Sequence, residues 1–175
     1  MHSYKSIIAA NRFGLGARPG EAAQAASDPQ GWLLAQLEDP AASALPGNGL
    51  KTSEQALREY FEFQSARRKA QKQAKGDEDA IREAIKDVAK PRAILAQEIA
   101  ARTRFAVITE QSFRERLVRF WANHFTVSVT RNNLVPVAVA FEREAIRHNA
   151  TGFFRDLLIA AETHPAMLLY LCLLY

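Results

Sequence analysis

Apolar residues recur along most of this chain at the spacing of one face of an α-helix. Ile81, Ala84, Ile85 and Val88, for example, follow the i, i+3, i+4, i+7 spacing. Only residues 125–130, FTVSVT, alternate as a strand does, and a single strand has no partner here, so we interpret this stretch as an extended linker. The pattern predicts an all-α, multi-helix, bundle-like domain that takes in residues 1–175 as one unit.

Capping residues and prolines mark where the predicted helices begin. Thr52 with Gln55 fits a capping box, and Ser112 with Glu115 fits a second one. Gly14 is expected to end the first helix in the left-handed conformation. The other predicted caps and first-turn prolines are Asp28 with Pro29, Asn133, Thr151, Pro91 and Pro165.

The apolar period is lost between Gln64 and Asp79, where Ala, Gln, Lys and Arg predominate. This composition favours helix but offers no apolar face to bury. We therefore expect a solvated helical hairpin around residues 64–80 that projects from the body and is barely buried.

The chain finishes on an apolar run, AMLLYLCLLY, over residues 166–175. This run is about half the length that a membrane-spanning helix needs, so no membrane span is predicted. An exposed apolar patch of this kind favours association. We expect residues 166–175 to pack against a protein partner or a missing C-terminal half, and the chain to be an incomplete N-terminal portion of a larger helical protein.

Composition and charge exclude several other classes. The net charge is +4, with basic residues concentrated between Ala66 and Lys75, but only Ala and Gln separate these charges, so nucleic-acid binding is not predicted. A single cysteine, Cys172, excludes an internal disulfide and a cysteine-rich zinc site. The N-terminus shows no export signal, which favours a cytoplasmic location by default.

A histidine continues the apolar stripe of the helix that follows Ser112. Leu117, Phe120, Trp121 and His124 share one helical face. We therefore predict that Trp121 is a principal core residue and that His124 is mostly buried, near the segment that contains His164.

Two further histidines bear on possible metal chemistry. His148 follows Glu144 at i, i+4, a spacing that suits two metal ligands but equally suits a surface ion pair. His164 precedes Pro165, where it can cap the last helix or point into the core. The candidate ligands of a possible divalent metal ion are His124, His164 and Glu144, although no HExxH motif is present.

Three stretches resemble the bacterial domain-of-unknown-function family numbered 1800: NRFGLGARPGE, RERLVRFWANHFTVS and GFFRDLLIAAETHPAMLLYL. The resemblance implies a helical protein without a demonstrated enzymatic activity, often exported and often encoded beside sulfatase-like partner proteins. Family members continue considerably further than this chain. The positions that match family motifs are Arg12, Phe13, Gly14, Arg116, Phe120, Trp121, Asn123, His124, Phe125, Glu144, Arg147, His164 and Pro165.

Two functional hypotheses follow. In the first, the chain is a scaffold or interaction module, in which Asn123 and His124 satisfy backbone groups and Arg147 pairs with a carboxylate. In the second, it is the N-terminal half of a metal-dependent or other hydrolase or oxidoreductase whose site the missing half completes. The candidate site residues under both are His124, His164, Glu144, Arg147, Asn123, Trp121 and Arg12.

Overall fold

The computed structural model describes residues 4–38, 45, 49–88 and 90–173. Within these ranges the chain forms helices and connecting turns without a β-strand, which confirms the all-α prediction. The helices are α1 (Tyr4–Ile8), α2 (Glu21–Gln24), α3 (Pro29–Glu38), α4 (Ser53–Ala74), α5 (Glu78–Ala84), α6 (Pro91–Ile108), α7 (Ser112–His124), α8 (Ala138–Phe141), α9 (Arg147–Asn149), α10 (Phe154–Thr163) and α11 (Pro165–Tyr170).

Two π-helical turns interrupt this series. Ala9–Phe13 continues α1, and Glu142–Ile146 joins α8 to α9; we call the second one the central π-turn. A π-turn holds about one residue more than an α-helical turn, so residues on either side of it lose their i, i+4 alignment. Glu144 and His148 are consequently not paired as predicted: His148 is exposed, and Glu144 binds elsewhere.

Several predicted helix starts are confirmed. The capping box of Thr52 and Gln55 is complete, since each side chain accepts from the backbone N–H of the other. Asp28 accepts from the N–H of Gly31 at 2.9 Å. Pro29, Pro91 and Pro165 occupy first helical positions.

Three predicted caps are wrong. Asn133 does not start a helix: the chain turns through residues 132–137, because Pro136 disfavours helical geometry at the residue before it, and α8 begins only at Ala138. Thr151 lies in a turn closed by a 3.1 Å hydrogen bond from Gly152 N to Asn149 O, and α10 follows it. Ser112 caps nothing, because its hydroxyl donates to Glu21.

The main apolar core lies where the second half of the chain packs together. Its largest fully buried members include Ile146 at the end of the central π-turn, Leu157 on α10 and Val118 on α7. Ala56 of α4 and Ile94 of α6 close this core from the other side. The residues of greatest functional interest, on α7 and on the central π-turn, are therefore held between packed helices.

The hairpin of α4 and α5 is more closely packed than the sequence indicates. Most side chains between Gln64 and Asp79 are exposed, but Ala70 is only 4 % exposed and contacts Ile81 and Ile85. The expectation that the alanines have nothing to bury is wrong at this point, because α5 folds back and supplies the apolar side chains. This small cluster is separate from the main core.

The buried face of α7 also differs from the predicted one. Ser112, Glu115 and Val118 face the interior, whereas Phe120 is 58 % exposed and His124 is exposed. Trp121 is half-buried and packs at the edge of the core. The predicted burial of His124 is wrong because the interior side of α7 is occupied by ion pairs, which turns the aromatic stripe towards solvent.

In the ranges given above, no helix combines the length and the apolarity needed to cross a membrane. Ala166 and Met167 of α11 are buried, while Leu171 and Leu173 are about half exposed. Arg131 donates to the carbonyl oxygen of Tyr170 at 3.1 Å and so fixes the end of α11. The last two positions of the predicted partner segment, 174 and 175, lie outside the described residues.

Candidate functional site

Arg147 is almost fully buried, with 1 % of its surface exposed. Its guanidinium donates two hydrogen bonds to Glu115 on α7 and one of 3.0 Å to Glu142. Burial alone lowers the pKa of Arg147, but the hydrogen bonds to Glu115 and the charges of both carboxylates outweigh burial and raise the pKa above its usual value. Arg147 is therefore a charged cross-link between α7 and the central π-turn.

The two carboxylates that hold Arg147 each contact one more arginine. Nε of Arg102, on α6, lies 2.7 Å from Glu142 Oε2, and Nε of Arg119, on α7, lies 3.5 Å from Glu115 Oε1. The five side chains form an alternating chain of charges in the order Arg119, Glu115, Arg147, Glu142, Arg102. We call this the central ion chain, and it joins three helical segments.

A second set of contacts surrounds the neighbouring residue, Glu144. His164 Nε2 lies 2.9 Å from Glu144 Oε2, and the backbone N–H of Ser53 donates to Glu144 Oε1 at 2.9 Å. His164 Nδ1 accepts from the N–H of Ala166 at 3.1 Å, so Nε2 carries the hydrogen that is donated to Glu144. His164 thus caps α11 and lies in the core, which are the two roles that the sequence left open.

The environment of Glu144 determines its ionisation. Burial alone raises the pKa of this carboxyl, but the hydrogen bonds from His164 and Ser53 outweigh burial and lower the pKa from 4.5 to about 2. Glu144 is therefore a carboxylate at neutral pH. It ties the central π-turn to the starts of α4 and α11.

Arg143 completes the set of cross-links. It donates to Glu98 Oε1 of α6 at 2.7 Å and to the carbonyl oxygen of Lys51 just before α4. Three consecutive residues of the central π-turn, 142–144, thus make ion pairs or hydrogen bonds with three other elements. Interrupted helices of this type are frequent at functional sites.

The N-terminal motif contacts the start of α7. The Ser112 hydroxyl donates to the buried Glu21 at 2.6 Å, and Arg116 donates to the carbonyl oxygen of Gly14 at 2.8 Å. Gly14 has φ −84°, so the predicted left-handed conformation is wrong. A Cβ there would lie 2.4 Å from Ala10 O and 2.7 Å from Ser112 Oγ, so this position needs glycine for close approach. Arg12, a candidate site residue, is exposed.

An aromatic surface occupies the opposite side of α7. It consists of Phe120, Trp121, His124, Phe125 and Phe154, and neighbouring ring centroids lie 4.9–6.5 Å apart. Phe154 belongs to α10, so the surface spans two helices. Phe125 is buried beneath it, while Phe120, His124 and Phe154 face solvent.

The structure brings some of the candidate residues together and separates others. Glu144 contacts His164, whereas the ring contacts of His124 are all within the aromatic surface. Asn123 is exposed, and its carbonyl oxygen accepts from the Thr126 hydroxyl at 2.5 Å. Among the residues that the structure describes, no group of three His, Cys, Asp or Glu side chains is arranged to hold a metal ion. The three-ligand set of His124, His164 and Glu144 is not assembled there, because His124 faces outward.

The sequence profile of one family, described as Protein of unknown function (DUF1800), matches residues 8–173. The chain belongs to this family. Neither a curated protein nor a solved structure matches this DUF1800 chain. The family description specifies no activity, so a functional interpretation depends on the contacts described above.

Sequence reasoning missed most of the central ion chain of this DUF1800 protein. It singled out Arg147 and expected a carboxylate partner, but it identified neither Glu115 nor Glu142 as that partner. One signal was available: the charged stretch EREAIR interrupts an otherwise apolar segment that begins at Leu134. Charges within such a segment are costly to bury unless they are paired, so partners elsewhere in the chain could have been sought.

Proposed function

We propose that this chain is a helical protein-interaction module whose aromatic surface binds an acidic, partly apolar segment of another protein. The observation that carries the proposal is the exposure of rings that ordinarily lie in a core: Phe120 is 58 % exposed and Phe154 is 53 % exposed. Phe153, which precedes α10, is 81 % exposed. Exposed apolar patches that span two elements are typical of interaction sites.

The charges around the aromatic surface favour an acidic partner. Arg116, Phe120 and His124 recur at i, i+4, i+8 on α7. Arg155, which follows Phe154 on α10, is already paired with Asp156. The only carboxylate of α7 is Glu115, which is buried against Arg147. The solvent face of α7 therefore combines positive charge with aromatic rings. Acidic side chains on the partner would complement this charge, and apolar ones would cover the rings.

The buried polar residues support a structural role for the remainder of the domain. Both ring nitrogens of His164 are used, one in the contact with Glu144 and one in the cap of α11. The Nη groups of Arg147 donate to two carboxylates, those of Glu115 and Glu142. A metal ion at His164 would have to displace one of these bonds. These contacts favour the interaction module over the alternative of a metal-dependent hydrolase or oxidoreductase.

A random peptide library displayed on phage, selected on the immobilised chain, tests the proposal. We expect enrichment of peptides that combine Asp or Glu with Leu, Phe or Trp. Synthetic copies of these peptides should bind the wild type and lose at least tenfold in affinity for the double variant Phe120→Ser/Phe154→Ser, since aromatic anchors dominate such interfaces. The matched control is Phe61→Ser, which removes a ring that is 62 % exposed on α4.

Three results would overturn the proposal. The first is no enrichment, and the second is enrichment of peptides that bind the double variant as well as the wild type. The third is tight binding of a labelled oligothymidine that depends on Phe120 and Phe154, because exposed aromatic and arginine side chains also stack on bases. That last outcome would identify single-stranded nucleic acid, and not a protein, as the ligand of the aromatic surface.

The expectation that residues 166–175 receive a protein partner stays a separate prediction. Leu171 and Leu173, which follow α11, are 49 % and 60 % exposed and lie outside the aromatic surface as defined above. Replacing both with Ser should leave peptide binding at the aromatic surface unchanged if the two areas act separately.

A further inference from the structure

The two ends of the central ion chain reach one cavity. Arg102 of α6 and Arg119 of α7 line a space of about 330 Å³ between these helices and α8. Arg102 and Arg119 are the terminal members of the ion chain, and each has about one third of its side chain exposed. The space lies on the other side of α7 from Phe120 and His124, so it is distinct from the aromatic surface.

The guanidinium groups at this cavity retain unused donors. Nε of each lies within ion-pair distance of a glutamate, but neither buried Nε makes a hydrogen bond to the residues that the structure describes. Glu98, one turn before Arg102, is already bound to Arg143. Asn123 and Glu142 also line the cavity: Asn123 adds a side-chain amide, and the Glu142 carboxylate is already paired with Arg102 and Arg147. The polar end of the cavity is therefore rich in hydrogen-bond donors that match an anionic group.

The charge balance specifies how much negative charge would fit. The central ion chain contains three arginines and two glutamates, so it carries one uncompensated positive charge. This excess is shared by residues that end at the same cavity. One monovalent anion placed between Arg102 and Arg119 would convert the open chain of ion pairs into a closed ring with no net charge.

The remaining walls of the cavity are mostly apolar. Side chains from α6, from the linker after α7 and from α8 form them; examples are Leu95, Ile99, Val127, Val139 and Phe141. A ligand that fills the cavity would place an apolar body against these walls and its charge against the arginines. Such a combination of apolar lining with a few convergent polar groups is typical of small-molecule sites.

We propose that this cavity binds a small monocarboxylate with an apolar body, held by Arg102 and Arg119. Octanoate is a suitable probe, because it has one negative charge and a flexible apolar chain, and 1-octanol is its uncharged counterpart. Isothermal titration calorimetry of the chain should show one saturable octanoate site with a Kd below about 1 mM, well within what ten non-hydrogen atoms can supply. Neither 1-octanol nor inorganic phosphate should compete with octanoate for this site at a similar concentration.

Variants locate the site. Arg102→Gln and Arg119→Gln should each weaken octanoate binding by about tenfold to a hundredfold, the range for a charged hydrogen-bonding partner. Arg104→Gln is the matched control, because it removes the same charge from an exposed position two residues away on α6. Val129→Trp keeps both arginines and fills the cavity from an exposed position of its wall, so it should abolish binding without unfolding the chain.

Several outcomes would overturn the proposal. For the wild type, they are no saturable binding of octanoate at about 10 mM, or binding of 1-octanol or phosphate as tight as that of octanoate. For the variants, they are a loss of octanoate affinity in Arg104→Gln as large as in Arg102→Gln, or unchanged octanoate affinity in Val129→Trp. If either arginine variant fails to fold, Val129→Trp and Arg104→Gln decide the question. Binding of phage-selected peptides at the aromatic surface has separate determinants, so failure here leaves that proposal standing.

Discussion

Helix α7 carries ion pairs on the side that faces the interior and aromatic rings on the side that faces solvent. Glu115 on the inner side is 1 % exposed, whereas Phe120, five residues later, is mostly exposed. The inner side is compatible with burial because Arg147 and Arg119 surround the Glu115 carboxylate. The comparison teaches that a carboxylate such as Glu115, when it is paired with arginines, can occupy the buried face of a helix. The aromatic residues of the same helix then lie on its exposed face, where they can bind a partner.

The sharpest test of this comparison is to truncate one residue of each kind. Arg147→Ala leaves Glu115 buried without its main counterion, and we expect a loss of about 3–5 kcal/mol in the free energy of unfolding. Phe120→Ala should cost less than about 1 kcal/mol, because the ring is already in water. Urea unfolding followed by circular dichroism measures both. A larger loss for Phe120→Ala would mean that the two faces of α7 have been assigned the wrong way round.

The anchoring of α7 by the N-terminal motif can be tested at Gly14. A methyl group there collides with the carbonyl oxygen of Ala10, so Gly14→Ala should cost about 1–3 kcal/mol. Gly152→Ala is the matched control, since its nearest neighbour would be at an ordinary 3.6 Å. Equal thermal shifts for the two variants would contradict the close approach at Gly14.

The two histidines of the proposed metal set provide the next comparison. His164→Gln cannot preserve both the bond to Glu144 and the cap of α11, and we expect a loss of about 1–3 kcal/mol. His124→Gln changes ring contacts at an exposed position, without a hydrogen bond between helices, and should change the free energy of unfolding by less than about 0.5 kcal/mol. Similar losses for both, recovered by adding a divalent metal ion, would instead support a shared site.

The smallest expected effect is a pH dependence at Glu144. Because its pKa is lowered from 4.5 to about 2 in the folded chain, its contribution is complete above pH 4.5 and is lost as the pH falls towards 2. Acid unfolding of Glu144→Gln should therefore show a shallower loss of stability in this window, by on the order of 1 kcal/mol, since a quarter of the side chain is exposed to screening water. Parallel curves for variant and wild type would rule out this role.

The sequence contained enough information for the fold class and for the helices that begin locally. Thr52, Pro91 and Pro165 form their helix starts with residues a few positions away, so their spacing is sufficient. The face of α7 could not be predicted in this way. Its orientation depends on a bond between Glu115 and Arg147, which are 32 residues apart, and that bond forms only when the central π-turn packs on α7.

The contacts of the candidate site show the same difference between local contacts, which the sequence predicts, and long-range contacts, which it does not. The position of His164 before Pro165 indicated either a cap or a core residue, and the contact with Ala166 shows the cap while its burial shows the core position. The contact with Glu144 joins segments 20 residues apart and has no local signature. The ion pairs of the central π-turn with α6 are also long-range, since Glu142 contacts Arg102 and Arg143 contacts Glu98.

The separation of the α4–α5 cluster from the main core has a consequence for how the chain opens. Ala70, Ile81 and Ile85 bury one another, and the side chains packed around them, Phe63, Ala66, Ala74 and Val88, are only partly buried. We expect the amide hydrogens of the second half of α4 and of α5 to exchange through a local opening, at rates far above those of α7 or α10. The hairpin would then unfold and refold many times during the lifetime of one folded core.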